Sequence, residues 1–365
     1  MAQHIPVIDL AAYYSQGSQS LEAEHTVQAI HDAASTWGFF VLTGTKVSPH
    51  IQSSILSISQ AFFDLPLDIR TALDVRYGGT AWRGYMPLGG EQTHGRTDWK
   101  EGLYVGPEHS EDHPLTGQPL HGKNQFPDQI LPKMRPTVLE YLNEVSNLGK
   151  TLTNIFSLAL GLDEEELHER FLEPEPVVLL RCFKYSPIAD ELSGLNREGQ
   201  ESFGIGEHTD FGYLTILKMD SPGLQILSPL DEWLDVPLIE NSLVVNIGDM
   251  FDQITEGRYR SRPHRVRRPG SQPRFSFPLF FDFAWDAKME RLALRHLPPL
   301  SDEDKQLAEQ RWAKTTFREV QGTWSQYLAR KVQKIFPDLD LPDFEANSAP
   351  STRFRTVIQT KPVSQ

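Results

Sequence analysis

The sequence predicts a mainly β fold with flanking α-helices, built around an eight-stranded jelly roll. Three observations carry that expectation. From Val177 onward, short β-rich runs (VVLLRCFKYSP, GYLTILKMD, LQILSP, EWLDVPL, SLVVNIGDMF, HRVRRP and RFSFPLFFDFAWD) are separated by turn residues, at the spacing of an all-β sandwich. Helical periodicity precedes these runs and returns after them. Hydrophobic residues make up 39% of the 365, with 20 Phe among them, enough to fill a large core.

Taken in order, IPVIDL (5–10) has the β-branched character of a short strand. QSLEAEHTVQAIHDAASTW (19–37) places Leu21, Val27, Ile30 and Ala34 at helical spacing, and Gly38 stands where a helix stops. GFFVLTGT (38–45) reads as a strand. Residues 48–73 read as a helix up to Leu65, where Pro66 interrupts the pattern. Residues 74–132, rich in Gly, Pro, His and Asp, read as functional loop with a few short strands. A long helix is expected from Pro132 to Gly161, a short capped helix over DEEELHER (163–170), and a closing helix over 313–336. The resulting division is 1–130 as N-terminal region and middle loop, 131–172 as supporting helices, 173–300 as jelly-roll core, and 301–365 as C-terminal helix and tail, all in one structural domain.

A formal charge of −14, with no dense basic cluster, argues against nucleic acid as a partner. No secretory signal or transmembrane span is visible. The lone Cys182 excludes an internal disulfide and reads as a small buried hydrophobe, which suits a reducing, cytoplasmic setting. A monomer or weak homodimer is expected.

The chemistry begins at GEHTDFGYLTIL (206–217). Residues i and i+2 of a strand share a face, so His208 and Asp210 would project together from the start of a strand running through Leu217. His264, in GRYRSRPHRVRRP, opens a later β-like run, far enough along for three or four strands to intervene. Two imidazoles and one carboxylate form the facial triad of non-haem Fe(II) oxygenases, which leaves adjacent positions open for a co-substrate and O₂. An H-x-D pair alone is common by chance. RFSFPLFF (274–281) adds weight: Arg274 and Ser276 share a strand face, and a guanidinium fork beside a hydroxyl is a carboxylate receptor, sized for 2-oxoglutarate. A surface salt bridge is the alternative for Arg274, but its apolar neighbours argue for burial, and a buried Arg needs an anion.

His208-Thr209-Asp210, His264 and Arg274-Phe275-Ser276 resemble the H-x-D…H…R-x-S pattern of the 2-oxoglutarate- and Fe(II)-dependent dioxygenases, in the isopenicillin N synthase-like branch. IPVIDL with WGFFVLTGT, the middle loop RGYMPLGGEQTHGRTDWKEGLYVG, SLVVNIGDMFDQITEGRYRSRPHRV and WSQYLARKVQKIFPDL extend the similarity over most of the chain. The resemblance implies a distorted double-stranded β-helix (jelly roll), an Fe(II) centre, 2-oxoglutarate and O₂ as co-substrates, and ascorbate as a candidate reductant. It also implies oxidation of a small organic metabolite, by hydroxylation or desaturation, coupled to formation of succinate and CO₂. Tyr185 matches the family tyrosine that bonds the co-substrate carboxylate, whereas Phe183 replaces the usual Asn. Asn246 and Asp249 match an N-x-G-D turn and are read as strand-end hydrogen-bonding groups.

Two other readings compete. One is a 2-oxoglutarate-independent oxidase of the isopenicillin N synthase or aminocyclopropane-carboxylate oxidase type; the other is an iron-holding binding protein. For the substrate wall the candidates are Arg83, Tyr85, Phe211, Phe281, Phe283 and Trp285, with core packing the alternative for each aromatic. A wall of aromatics with one Arg suits a small, mostly apolar molecule bearing a polar or acidic group.

Overall fold

The computed structural model describes residues 4–18, 20–93, 95–187, 203–315 and 320–335. Its first half runs β1 (Val7–Asp9), α1 (Ala11–Gln16), α2 (Leu21–Thr36), β2 (Phe39–Thr43), α3 (Pro49–Phe63), α4 (Leu67–Thr71), β3 (Gly84–Met86), β4 (Gln92–Thr93), β5 (Arg96–Thr97), β6 (Lys100–Val105), α5 (Met134–Ala159) and α6 (Glu166–Phe171). Its second half runs β7 (Pro176–Tyr185), β8 (Phe203–His208), β9 (Leu214–Met219), β10 (Leu224–Leu227), β11 (Trp233–Asp235), β12 (Leu243–Ile247), α7 (Asp249–Ile254), β13 (His264–Arg267), β14 (Arg274–Ala284), α8 (Asp302–Trp312) and α9 (Trp324–Ile335).

Local chemistry explains the helix ends that frame the core. Ser20 caps α2 by accepting from the Ala23 N–H, and Glu22 and Glu24 add negative charge to its first turn. Gly38 ends it with φ +67°, where a Cβ would lie 1.9 Å from the Arg260 carbonyl oxygen. Ser48 caps α3, Pro49 starts it, and Pro66 blocks its continuation.

The strands form a large sheet, in the order β1-β2-β12-β9-β14-β7-β6-β3, and a smaller one, β11-β10-β13-β8. This is the jelly roll the sequence predicts, with β1–β3 and β6 widening the larger sheet. Helix α5 covers the outer face of that sheet: Phe277 of β14 meets Tyr141, and Phe281 presses so closely on α5 that a Cβ at Gly149 would stand 2.5 Å from its ring. Residues two apart share a face, so Phe275, Phe277, Leu279 and Phe281 of β14 point outward, and Arg274, Ser276, Pro278 and Phe280 point inward.

Three element expectations need correction. The H-x-D pair does not open a strand: His208 ends β8, the chain turns, and β9 begins only at Leu214. The closing helix begins at Trp324, not at 313, after Gly322 at φ +79°, and a separate helix that the sequence reading did not expect, α8, precedes it. No side chain caps α6.

Candidate active site

Antiparallel pairing of β8 with β13 sets His208 directly opposite His264. Their ring centroids lie 4.2 Å apart, and each Nε2 stands 3.8 Å from Asp210 Oδ1. The turn after β8 carries Asp210 across to the larger sheet. There its Oδ2 accepts from Thr215 Oγ1 at 2.6 Å and from Asn246 Nδ2 at 2.8 Å, and its carbonyl accepts from the Asp249 N–H at 2.7 Å. One carboxylate oxygen is thus spent on orientation, and the other faces both imidazoles. His208 Nδ1–H donates to the Gly206 carbonyl at 2.8 Å, which fixes the tautomer whose Nε2 lone pair points at Asp210.

Burial, then the neighbouring His264, push the His208 imidazole well below its ordinary pKa. Burial opposes ionisation of Asp210, but His264, His208 and the hydrogen bonds from Thr215 and Asn246 outweigh it and hold the carboxyl below its usual range. An ionised carboxylate facing two imidazole nitrogens is a donor set for a divalent cation, which takes the place of any proton the cluster holds. All three ligand atoms lie within 4.8 Å of one another. Two imidazole nitrogens and one carboxylate oxygen gathered this closely are groups that would hold an Fe(II) ion.

Arg274 is only 1% exposed and in register with Tyr185, as Ser276 is with Phe183. Its Nε donates to the Ser221 carbonyl at 3.2 Å, and its guanidinium lies over the Tyr185 ring at 5.1 Å. Nη1 and Nη2 are buried with no hydrogen-bond partner among the described residues. Asp220, which acts on Arg274 through its charge, accepts from Phe275 N–H and Ser221 Oγ instead. The Ser276 hydroxyl donates to the Tyr185 hydroxyl at 3.4 Å. Two orphaned guanidinium nitrogens beside two hydroxyls fit a carboxylate, since an unmet buried donor costs about 1–3 kcal/mol.

Five of the six wall candidates lie elsewhere. Arg83 gives its terminal nitrogens to the carbonyls of Pro107, Leu120 and Gly122 and to Asn124 Oδ1, at 2.7–3.2 Å, and so organises the middle loop. Tyr85 donates to Glu101 Oε2. Phe281 packs on α5, Phe283 among Tyr213, Phe171 and Trp324, and Trp285 against His121. The two Phe follow the outward parity of β14. Phe211 alone adjoins the triad, being next to Asp210 and stacked on Trp324.

Sequence reasoning missed Thr215, and it read Asn246 as a strand-end hydrogen-bonding group without naming Asp210 as its partner; both hold Asp210. It also passed over Lys100 and Arg181. Lys100 is buried between Glu91 and Asp98, at 2.7 Å from each. Applied to RCFKY, the two-residue period would have placed Arg181 on the face of Phe183 and Tyr185. A second cluster, His109, His113 and Glu175, lies at the far end of β7. There His109 Nε2 donates to Glu175 at 2.5 Å and His113 Nδ1 accepts from the Leu115 N–H, so the group is a hydrogen-bonded tie between the middle loop and β7.

A jelly roll with a two-histidine, one-aspartate centre and a buried carboxylate receptor defines a non-haem iron oxygenase architecture. Residues 5–129 match the family model described as non-haem dioxygenase in morphine synthesis N-terminal, and residues 175–282 match the 2OG-Fe(II) oxygenase superfamily. A 2-oxoglutarate-Fe(II) type oxidoreductase of Emericella nidulans is 35% identical over 76% of this chain and 78% of its own. The 1-aminocyclopropane-1-carboxylate oxidase of Dictyostelium discoideum is 28% identical over 92% of this chain and 96% of its own. Among solved structures, a full-length Neurospora crassa protein in complex with alpha-KG and thymine superposes with a TM-score of 0.71 at 25% identity, covering 92% of this chain and 97% of that one. The chain belongs to the 2-oxoglutarate- and Fe(II)-dependent oxygenase superfamily: it is an oxidoreductase that uses Fe(II) and 2-oxoglutarate. Among the described residues no helix is long and apolar enough to cross a membrane.

Proposed function

We propose that His208, Asp210 and His264 hold the Fe(II), that Arg274, Ser276 and Tyr185 grip the distal carboxylate of 2-oxoglutarate, and that the enzyme hydroxylates or desaturates a small organic substrate. The observation that carries this reading is the pair of buried nitrogens on Arg274 with no hydrogen-bond partner among the described residues, on a strand paired with the one that carries Thr215. Fe(II) held by these residues would supply the chemistry the side chains lack, coupling the oxidative decarboxylation of 2-oxoglutarate by O₂ to succinate and CO₂ with oxidation of the substrate. The protein's part is placement. Thr215 and Asn246 aim the Asp210 oxygen, Gly206 sets the His208 tautomer, and burial keeps the Tyr185 hydroxyl protonated as a donor for the carboxylate. Phe39 packs edge-on against His264 at 5.2 Å and keeps water from that side of the ring.

The aminocyclopropane-carboxylate oxidase relative favours a second reading, in which Arg274 grips a substrate carboxylate and no keto acid is consumed. Stoichiometry separates the two. With Fe(II) and 2-oxoglutarate, succinate and CO₂ should form in equal amounts with O₂ uptake. Turnover that proceeds without the keto acid would transfer the assignment to the oxidase.

A further inference from the structure

The register that builds the co-substrate grip sets a second guanidinium on the same face. Across β14, β7 and β6, Arg274, Tyr185 and Lys100 form one row, and Ser276, Phe183 and Gly102 the next. The row after that joins Arg181 to Tyr104, beside Pro278 and Leu217. Thr215, which holds Asp210, is in register with Phe280, one further step along the same inward face. Arg181 therefore stands about 7 Å along the strands and about 10 Å across them from the residue that anchors the metal ligand. It is also about 13 Å along β7 from Tyr185, too far to share the carboxylate held there.

The surroundings of Arg181 are those of a receptor. The residue is 6% exposed, and its guanidinium lies 4.0 Å from the Tyr104 ring centroid and 5.3 Å from that of Trp82. Its one hydrogen bond is long, 3.4 Å from Nη1 to the Leu180 carbonyl, and it forms no ion pair among the described residues. Glu91, the acid that acts on it through charge, is engaged by Lys100. Arg83 shows what a structural arginine looks like in this same fold: equally buried, with its terminal nitrogens on three carbonyls and an amide oxygen. A guanidinium stays charged in a protein, and one stacked on rings with free in-plane donors is built for a planar anion.

We propose that Arg181 anchors a carboxylate on the organic substrate, so that the enzyme oxidises a compact, otherwise apolar carboxylic acid between Arg181 and the iron. This rests on the metal and co-substrate reading given above. It also moves the acid-binding role that the sequence suggested for Arg83 to a strand of the core.

The test uses full-length enzyme loaded with Mn(II) and 2-oxoglutarate, titrated calorimetrically with butyrate, octanoate, benzoate, phenylacetate and cinnamate and with their primary amides. At least one acid should bind at least tenfold more tightly than its amide. Arg181→Gln should abolish that preference while leaving the dissociation constant for 2-oxoglutarate within twofold. Arg181→Lys, a point charge without the fork, should keep part of it, which preserves the reading if the glutamine variant fails to fold. Equal affinity for acids and amides, no acid binding at all, or a preference that survives in Arg181→Gln would overturn the proposal. Failure of wild-type enzyme to bind 2-oxoglutarate in the same cell would instead overturn the co-substrate assignment.

Discussion

Asp210 divides its labour between two oxygens: Oδ2 is tied to Thr215 and Asn246, and Oδ1 faces the imidazoles. Removing the whole group and removing its support should therefore differ. Asp210→Ala should abolish Mn(II) binding and activity with the circular dichroism of the fold unchanged. Asn246→Ala should weaken Mn(II) binding about 10- to 100-fold, the usual cost of losing an orienting partner. Calorimetric titration measures both, and an unaltered affinity in Asn246→Ala would remove its orienting role. Arg274→Leu tests the other end. Losing a buried charge-assisted pair should raise the 2-oxoglutarate KM about 100-fold with metal affinity intact; an unchanged KM would favour the oxidase reading.

Strand β14 is the element on which site and core meet, because its inward residues serve chemistry and its outward ones pack on α5. Gly149 is what lets α5 lie so close. Gly149→Val should force the Phe281 ring aside and lower stability by about 1–3 kcal/mol, seen in chemical denaturation, while Mn(II) affinity stays put. The same two-residue period marks how far the sequence could be read. It placed Arg274 and Ser276 together; carried along the same strand it would have rejected Phe281 and Phe283 as wall residues, and applied to β7 it would have picked out Arg181. Other features were not legible from periodicity. His208 and Asp210 straddle a strand end, so their convergence comes from a turn held by the nearby Thr215 and by Asn246 and Asp249, which are distant in sequence. Helix α8 buries only Ala308 and shows no apolar stripe, although Ser301, whose hydroxyl accepts from the Asp304 N–H, was an available start signal.

At the scale of the whole molecule, the proposed metal site depends on the 209–213 turn that runs between the two sheets, and Asp282 of β14 is part of what holds that turn. Its Oδ1 accepts from the Tyr213 N–H at 2.9 Å, and Gly212 passes so close that a Cβ there would lie 1.9 Å from the same oxygen. Burial, with a smaller push from the charge on Asp210, raises the Asp282 carboxyl to about 7 against the Tyr213 hydrogen bond. The folded chain therefore keeps a proton on Asp282 at pH values where the unfolded chain, with an ordinary carboxyl near 4, has lost it. That makes the contribution of this residue to stability complete below about pH 4, declining as pH rises, and gone above about pH 7, with a total on the order of 4 kcal/mol. In metal-free enzyme, Asp282→Asn keeps an acceptor for Tyr213 but cannot titrate, so its stability should fall less than that of wild type between pH 5 and pH 7. Parallel stability curves for the two proteins in urea denaturation across that range would mean that Asp282 is ionised in the fold, and that the turn carrying Asp210 is braced by a buried charge instead of a neutral acid.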